Sequence, residues 1–398
     1  MFKITKRLFL LSVVTVVLLG AVQGSDSPSP SDVAVSPYKY SLFRWEVDHF
    51  LDKWVNKLQE ILPWNSEPSR EARIAQAQEF FDLTAEIREL ERGSADENAA
   101  RIEELRQRRS DMQTDVEETV ESEISAILVE EGFSSRIGVI FPPVDTVFAA
   151  SPGALIISPR DRIAQTSSTL LKPGIPGDVR NELEEVIFRE DDVSALVVST
   201  GGVATYPSVV SATATLHSAL VITAHEWLHH WFFFQPLGQH FWDSSDMTTL
   251  NETAATLGGQ AIGDRVFTAI TGEQVRRESE PPAPADLGAF NFNDAMHETR
   301  LRTEALLADG KIEEAEAYME ERRLFMAENG FFIRKINQAF FAFHGTYATS
   351  AASISPINGQ LKELRSQSDT LEDCLKTVGT FGSYNEFLKY LDGDEGDG

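Results

Sequence analysis

Apolar positions recur at helical spacing over long stretches of this chain and at strand spacing over only a few short ones. From Ser69 to about Glu131 the pattern is helical throughout. Ile74, Phe81, Ile87 and Leu90 mark a first arm; Ile102, Leu105, Met112, Val116, Val120, Ile124 and Leu128 mark a second, spaced by three, four or seven. Gly93 ends the first arm, and Ser94 with Glu97 makes a capping box that opens the second, so residues 67–135 are expected to form an antiparallel helical hairpin. Ile137–Phe141, Ala154–Ile157 and Ala195–Ser199 read as short strands, the last of them buried. Gly201-Gly202 breaks that strand, and Val203–Tyr206 can continue as an edge. A long apolar helix is predicted from about Ser211 to Phe234 and a second from about Met247 to Phe267. Two more flank Asp309-Gly310, and a further one runs through Ile333 to about Tyr347. The fold class this implies is α+β, mostly helical, with a small sheet.

The ends and joints of the chain carry a different signal. Lys3, Lys6 and Arg7 precede an uncharged run from Leu8 to Val22, followed by Gln23-Gly24-Ser25, the layout of a signal peptide over residues 1–24. Fifteen helical residues cover only ~22 Å of a ~30 Å hydrocarbon core, so a cleaved signal is favoured over a membrane anchor. The expected location is extracytoplasmic, secreted or anchored through this segment, the positive end staying inside. Residues 25–66 read as a Ser/Pro-rich linker and an aromatic-rich amphipathic helix, 271–290 as a Pro-rich linker, and 393–398 as a disordered tail. The formal net charge of −27 argues against nucleic acid or an anionic lipid surface as a partner. The single Cys374 leaves no intramolecular disulfide and no multi-cysteine metal site.

The chemistry is concentrated in Thr223-Ala224-His225-Glu226-Trp227-Leu228-His229-His230. Residues four apart share a helix face, so His225 and His229 can present imidazole nitrogens to one metal ion. Glu226 points beside that ion and can act as general base toward an attacking water. The preceding stretch, Ser211 to Ala224, carries no Asp, Glu, Lys or Arg, as suits a buried active-site helix. Two histidines leave a zinc ion short of protein ligands. Glu252 stands alone as an acid in the small, apolar run TTLNETAATLGGQAIG, where burial without a cation is costly, and is the natural third ligand. The surrounding alanines and glycines let this helix approach the first closely. Asn251-Glu252-Thr253 also matches a glycosylation sequon, a reading that a tight helix facing a metal disfavours. His217 and His230 are expected to be structural.

H-E-x-x-H followed on a second helix by N-E-x-x-A resembles the gluzincin metallopeptidases, over roughly residues 195–268. In detail, HEWLHHW, NETAATLGG and the Asn337–Tyr347 region are similar to bacterial predicted aminopeptidases. The resemblance implies a zincin-like catalytic domain over residues 136–270, completed by a C-terminal helical region over 291–392. It implies one zinc ion per chain held by His225, His229 and Glu252, Glu226 as general base, and a peptide or protein substrate. It also implies a side-chain donor to the oxyanion beyond Glu252. Tyr347, with His344 behind it, is the candidate, because both fall in the apolar segment FFAFHGTY. The Gly201–Tyr206 segment lacks the glutamate with which aminopeptidases of this class hold a free amine, but can offer an edge strand to an extended peptide. Two alternatives stand beside this reading: a zinc-stabilised helical scaffold that binds partners, and a metallohydrolase acting on something other than peptides.

Overall fold

The computed structural model describes residues 29–41, 68–93, 97–134, 138–275 and 290–393. The expected signal segment, most of the aromatic-rich stretch before residue 68, the Pro-rich linker and most of the tail lie outside the described residues. Among the described residues no helix is long and apolar enough to cross a membrane.

Helices dominate and two small sheets sit among them, an α+β fold of mostly helical content. The hairpin forms from α2 (Arg70–Arg92) and α3 (Ala99–Glu130), preceded by a short α1 (Pro30–Val35). Ser69 caps α2 through its side chain. The second arm opens at Ala99 with Asn98 as its cap, later than the expected capping box, of which Ser94 is outside the described residues. Phe81, Val116, Val120, Ile124 and Leu128 are buried as their spacing predicts. They join the largest core together with α5 (Leu216–Phe232), α7 (Ser245–Thr271) and the C-terminal helices α11 (Ile357–Gln367), α12 (Leu371–Gly379) and α13 (Tyr384–Leu391). The short α6 (Pro236–Gln239) joins α5 to α7.

The sheets depart from expectation in several places. One has the antiparallel order β3-β2-β4, with β2 at Gly153–Pro159, β3 at Ser167–Leu171 and β4 at Val193–Ser199. Period-two alternation splits its side chains. Leu155, Ala195 and Val197 pack under α4 (Gly177–Asp191), while Ala154, Ile156 and Leu196 face α8 (Phe292–Ala308), α9 (Ile312–Glu328) and α10 (Gln338–His344). The other sheet has the order β1-β6-β5, from Thr146–Ala149, Ser208–Ser211 and Gly202–Val203. Residues 138–141 form no strand, Ile137 lying outside the described residues; Gly138 has a positive φ of 75° and Pro142-Pro143 follow, two residues with no N–H for a ladder. Val203 onward does not extend β4. The chain turns at Gly201 and pairs antiparallel with β6 instead, in a strand only two residues long. The helix expected from Ile333 to Tyr347 is confined to α10, its N-terminus set by the Asn337 side chain capping Phe340 N.

Buried side chains, not further strands, close a terminal edge of each sheet. On β1, Thr146 N and Phe148 N donate to Glu121 and Glu117 of α3, at 2.9 and 2.7 Å. On β4, Val197 N donates to Glu184 Oε1 at 2.7 Å while Arg334 donates to Val197 O at 3.0 Å. Such edges, left open, would template pairing with another chain.

Glu184 is fully buried in the second of these clasps, with Lys335 Nζ 2.8 Å from its carboxylate. Burial alone would raise its pKa; Arg334, Lys335 and the Val197 N–H outweigh it and hold the carboxyl below the ordinary 4.5. A depressed folded-state pKa gives stability that is fully present above the unfolded value and is lost as pH falls through the folded one. Glu184→Gln is therefore expected to lower unfolding free energy by about 2–4 kcal/mol at neutral pH, and by progressively less below about pH 4. Urea titrations at both pH values check this; an equal loss at each would contradict the assignment.

Candidate metal centre

The site lies where α5 and α7 cross. Thr215 caps α5 and Ser244 caps α7, each accepting a main-chain N–H three residues on. One face of α5 places Leu220, Trp227 and Leu228 in the core, and Trp227 Nε1 donates to Pro142 O at 2.8 Å. The adjoining face presents His225 and His229 toward α7, with Glu226 beside them against β5. Glycines on α7 make the crossing close. A Cβ at Gly259 would lie 2.9 Å from the His225 main chain, and one at Gly263 would lie 2.7 Å from Val221 Cα. No residue larger than glycine fits at either contact without the helices shifting.

This approach brings three potential ligands together. His225 Nε2 and His229 Nε2 are 3.0 Å apart, and Glu252 Oε2 lies 3.7 and 3.4 Å from them respectively. The oxygen is buried and has no hydrogen-bond partner. Glu226 completes a group with the two histidines whose ligand atoms lie within 4.8 Å of one another and which can hold a metal ion. Two buried carboxylates around two imidazoles form a donor set that a divalent cation would neutralise, and an orphaned oxygen aimed at the imidazole nitrogens is what such a cation would satisfy. The residues fit a metal.

The four titratable groups act on one another electrostatically. Burial, then the neighbouring His229, pushes His225 down to about 4. Burial works against protonation of His229 as well, but the charge of Glu252 prevails and lifts it to about 9. Burial raises Glu226 to about 7. For Glu252 burial is outweighed by His229, and its pKa is lowered.

Neighbours fix the orientation of each group. His229 Nδ1 donates to Asn251 Oδ1 at 2.9 Å, which sets the tautomer that leaves Nε2 free as a ligand. Asn251 is 1% exposed, so the sequon is not accessible to a glycosylating enzyme in the folded chain. Thr253 Oγ1 accepts from Ala348 N at 3.0 Å and ties α7 to the segment that carries Tyr347. All three residues of Asn251-Glu252-Thr253 thus serve the site, although from sequence only the glutamate was assigned. The overlooked signal was two further polar side chains in the same apolar run.

Tyr347 is brought to the centre: its hydroxyl lies close enough to the Glu252 carboxylate for each to shift the other's pKa. Burial, then the charges of Glu252 and Glu226, hold its pKa well above 10, so it remains a donor. His344 packs instead against Phe340 and Phe343, with ring centroids 4.4 and 5.1 Å away. His217 pairs with Asp264 at 2.8 Å, a second link between α5 and α7. His230 turns away to the β5–β6 turn, where its ring packs edge-on against Tyr206 with centroids 5.5 Å apart. Gly202 of β5 abuts Glu226; a Cβ there would lie 2.6 Å from its Oε1. No protein-family model, curated protein or solved structure matches the chain.

Removing any of His225, His229 or Glu252 should weaken the site without unfolding it. Each change to Ala is expected to reduce divalent-cation affinity by roughly 10-fold or more. Titration calorimetry on metal-stripped protein measures this, and an unchanged affinity in Glu252→Ala would remove that residue from the ligand set.

Proposed function

We propose that the protein is a zinc-dependent hydrolase acting on peptide bonds, in the manner of the gluzincin metallopeptidases it resembles. The observation that carries this reading is the convergence of the two imidazole nitrogens on an orphaned, buried Glu252 oxygen, with a second carboxylate, Glu226, beside them but on the neighbouring residue of the helix. One zinc ion per chain, held by His225, His229 and Glu252, would supply Lewis-acid polarisation of the scissile carbonyl and acidify the attacking water.

The chain's own residues supply the rest. Glu226 accepts a proton from water as its oxygen bonds to the carbonyl carbon. Glu226 then delivers that proton to the amide nitrogen as the C–N bond breaks, so the two proton movements balance. Tyr347, kept protonated, donates a hydrogen bond to the oxygen that becomes negative as water adds. Asn251 holds the His229 ring through both movements. The two-residue β5, terminal in its sheet and lying against Glu226, can pair with the main chain of an extended peptide. A catalytic site of this design keeps an open position, whereas a structural zinc site closes all four and needs no base.

Glu226→Gln tests the reading most cleanly because it preserves shape while removing the proton acceptor. Chelator-sensitive cleavage of a peptide library is expected in the wild type, with kcat lowered ~10²–10⁴-fold in this variant and metal content unchanged. Near-normal turnover would refute the base, and no cleavage of any peptide by metal-loaded protein would refute the peptidase. Tyr347→Phe should lower kcat and kcat/KM together by roughly 10²-fold, again with metal retained.

A further inference from the structure

Tyr347 sits on no helix, strand or glycine-rich loop that would fix it by itself. It lies between the end of α10 and the turn at Ser350–Ser353, in a segment whose two ends must be held for the hydroxyl to stay beside Glu252. Ser350 N donates to Tyr347 O at 2.8 Å and Ser353 Oγ donates to Gly345 O at 2.9 Å, which closes the segment into a loop. One further group reaches both ends, the guanidinium of Arg300 on α8.

Arg300 is only 8% exposed. Its Nη1 donates to Phe341 O at 3.2 Å, in the last turn of α10, and to Ala352 O at 3.3 Å, beyond Tyr347. Nε and Nη2 both donate to Glu304 Oε1, at 3.0 and 2.6 Å, which anchors the fork to its own helix. Burial lowers the pKa of Arg300 and Glu304 opposes that, leaving a buried cation whose charge is balanced on one side and spent on two carbonyls on the other. The guanidinium comes so close that a Cβ at Gly345 would lie 2.9 Å from Nη1. A buried cation that bridges two carbonyls with one nitrogen is an expensive way to hold a surface turn. It is an economical way to hold a loop whose middle residue must be placed to within a fraction of an ångström.

We propose that Arg300 is a positioning residue for catalysis: it clamps both ends of the 341–352 loop and thereby aims the Tyr347 hydroxyl at the centre formed by Glu252 and Glu226. This rests on the role proposed for Tyr347. Thr253 fixes the same loop from the other side through Ala348 N, so the hydroxyl is held between α7 and α8.

Arg300→Met removes the clamp with little change of volume. Gly345 N still donates to Phe341 O at 2.9 Å, so the acceptors left without a donor are Ala352 O and the Glu304 carboxylate, which is 36% exposed and can turn to water. Since small misplacements of a reacting group cost up to ~10²-fold, the variant is expected to lower kcat about 10-fold. In a Tyr347→Phe background the same change should lower kcat less than about 2-fold, because the hydroxyl it aims is already gone. Arg300→Lys, able to reach one carbonyl but not two, should recover part of the loss. A second readout needs no turnover. Hydrogen exchange on metal-free protein should speed up in residues 345–353 of Arg300→Met and stay unchanged in α5 and α7. An equal loss of kcat in both backgrounds, or unchanged exchange in 345–353, would overturn the clamp while leaving Tyr347 in place. Full kcat in Tyr347→Phe alone would overturn the clamp together with the Tyr347 role.

Discussion

The site depends on how closely two helices can approach. α5 carries His225, Glu226 and His229, and α7 carries Glu252, so the centre exists only if their backbones come near contact. Gly259 against His225 and Gly263 against Val221 permit this, and Gly258 does the same for the Leu228 and Leu375 side chains that pack over the crossing. A methyl group at any of these contacts would separate the axes by a few tenths of an ångström or more. That shift acts on a set of ligand atoms spaced by 3.0 to 3.7 Å. The glycines weaken α7 as an isolated helix, by roughly 1 kcal/mol each relative to alanine. The packing they allow is therefore part of what holds the helix in place.

Charge is arranged around the same crossing. Glu226 and Glu252 are buried carboxylates, and Glu252 and His229 shift each other's pKa in opposite directions, each favouring the partner's charged form. Asn251 holds the His229 ring at a fixed orientation, and Thr253 ties α7 to the segment that carries Tyr347. The outer parts of the fold serve these positions. α8 reaches the Tyr347 loop through Arg300, and β5 lies against Glu226 through Gly202. The hairpin α2–α3 packs into the largest core and lends Glu117 and Glu121 to the edge of β1.

Helices with a strong apolar period were legible in the sequence, and the grouping of His225, Glu226, His229 and Glu252 followed from two short motifs. The strands were less so. β3 is Ser-Ser-Thr-Leu-Leu and β6 is Ser-Val-Val-Ser, both too short and polar to stand out, and β5 is fixed by tertiary pairing over only two residues. α4 escaped notice because its acidic sequence hides the one carboxylate, Glu184, that is buried against cations distant in the chain. Tyr347 stands out in the apolar segment FFAFHGTY, and Arg300 does not, since nothing in an amphipathic helix of mixed charge distinguishes the one arginine that turns inward. Long-range partners decide such residues, and local pattern does not contain them.

The central claim is that His225, His229 and Glu252 ligate one divalent cation. Anomalous diffraction from crystals of the metal-loaded protein, recorded on either side of the zinc edge, tests it directly. The account predicts a single anomalous peak per chain within ~2.0–2.2 Å of His225 Nε2, His229 Nε2 and a Glu252 oxygen. A peak elsewhere, a ligand set that omits Glu252, or no peak from zinc-saturated crystals would contradict it.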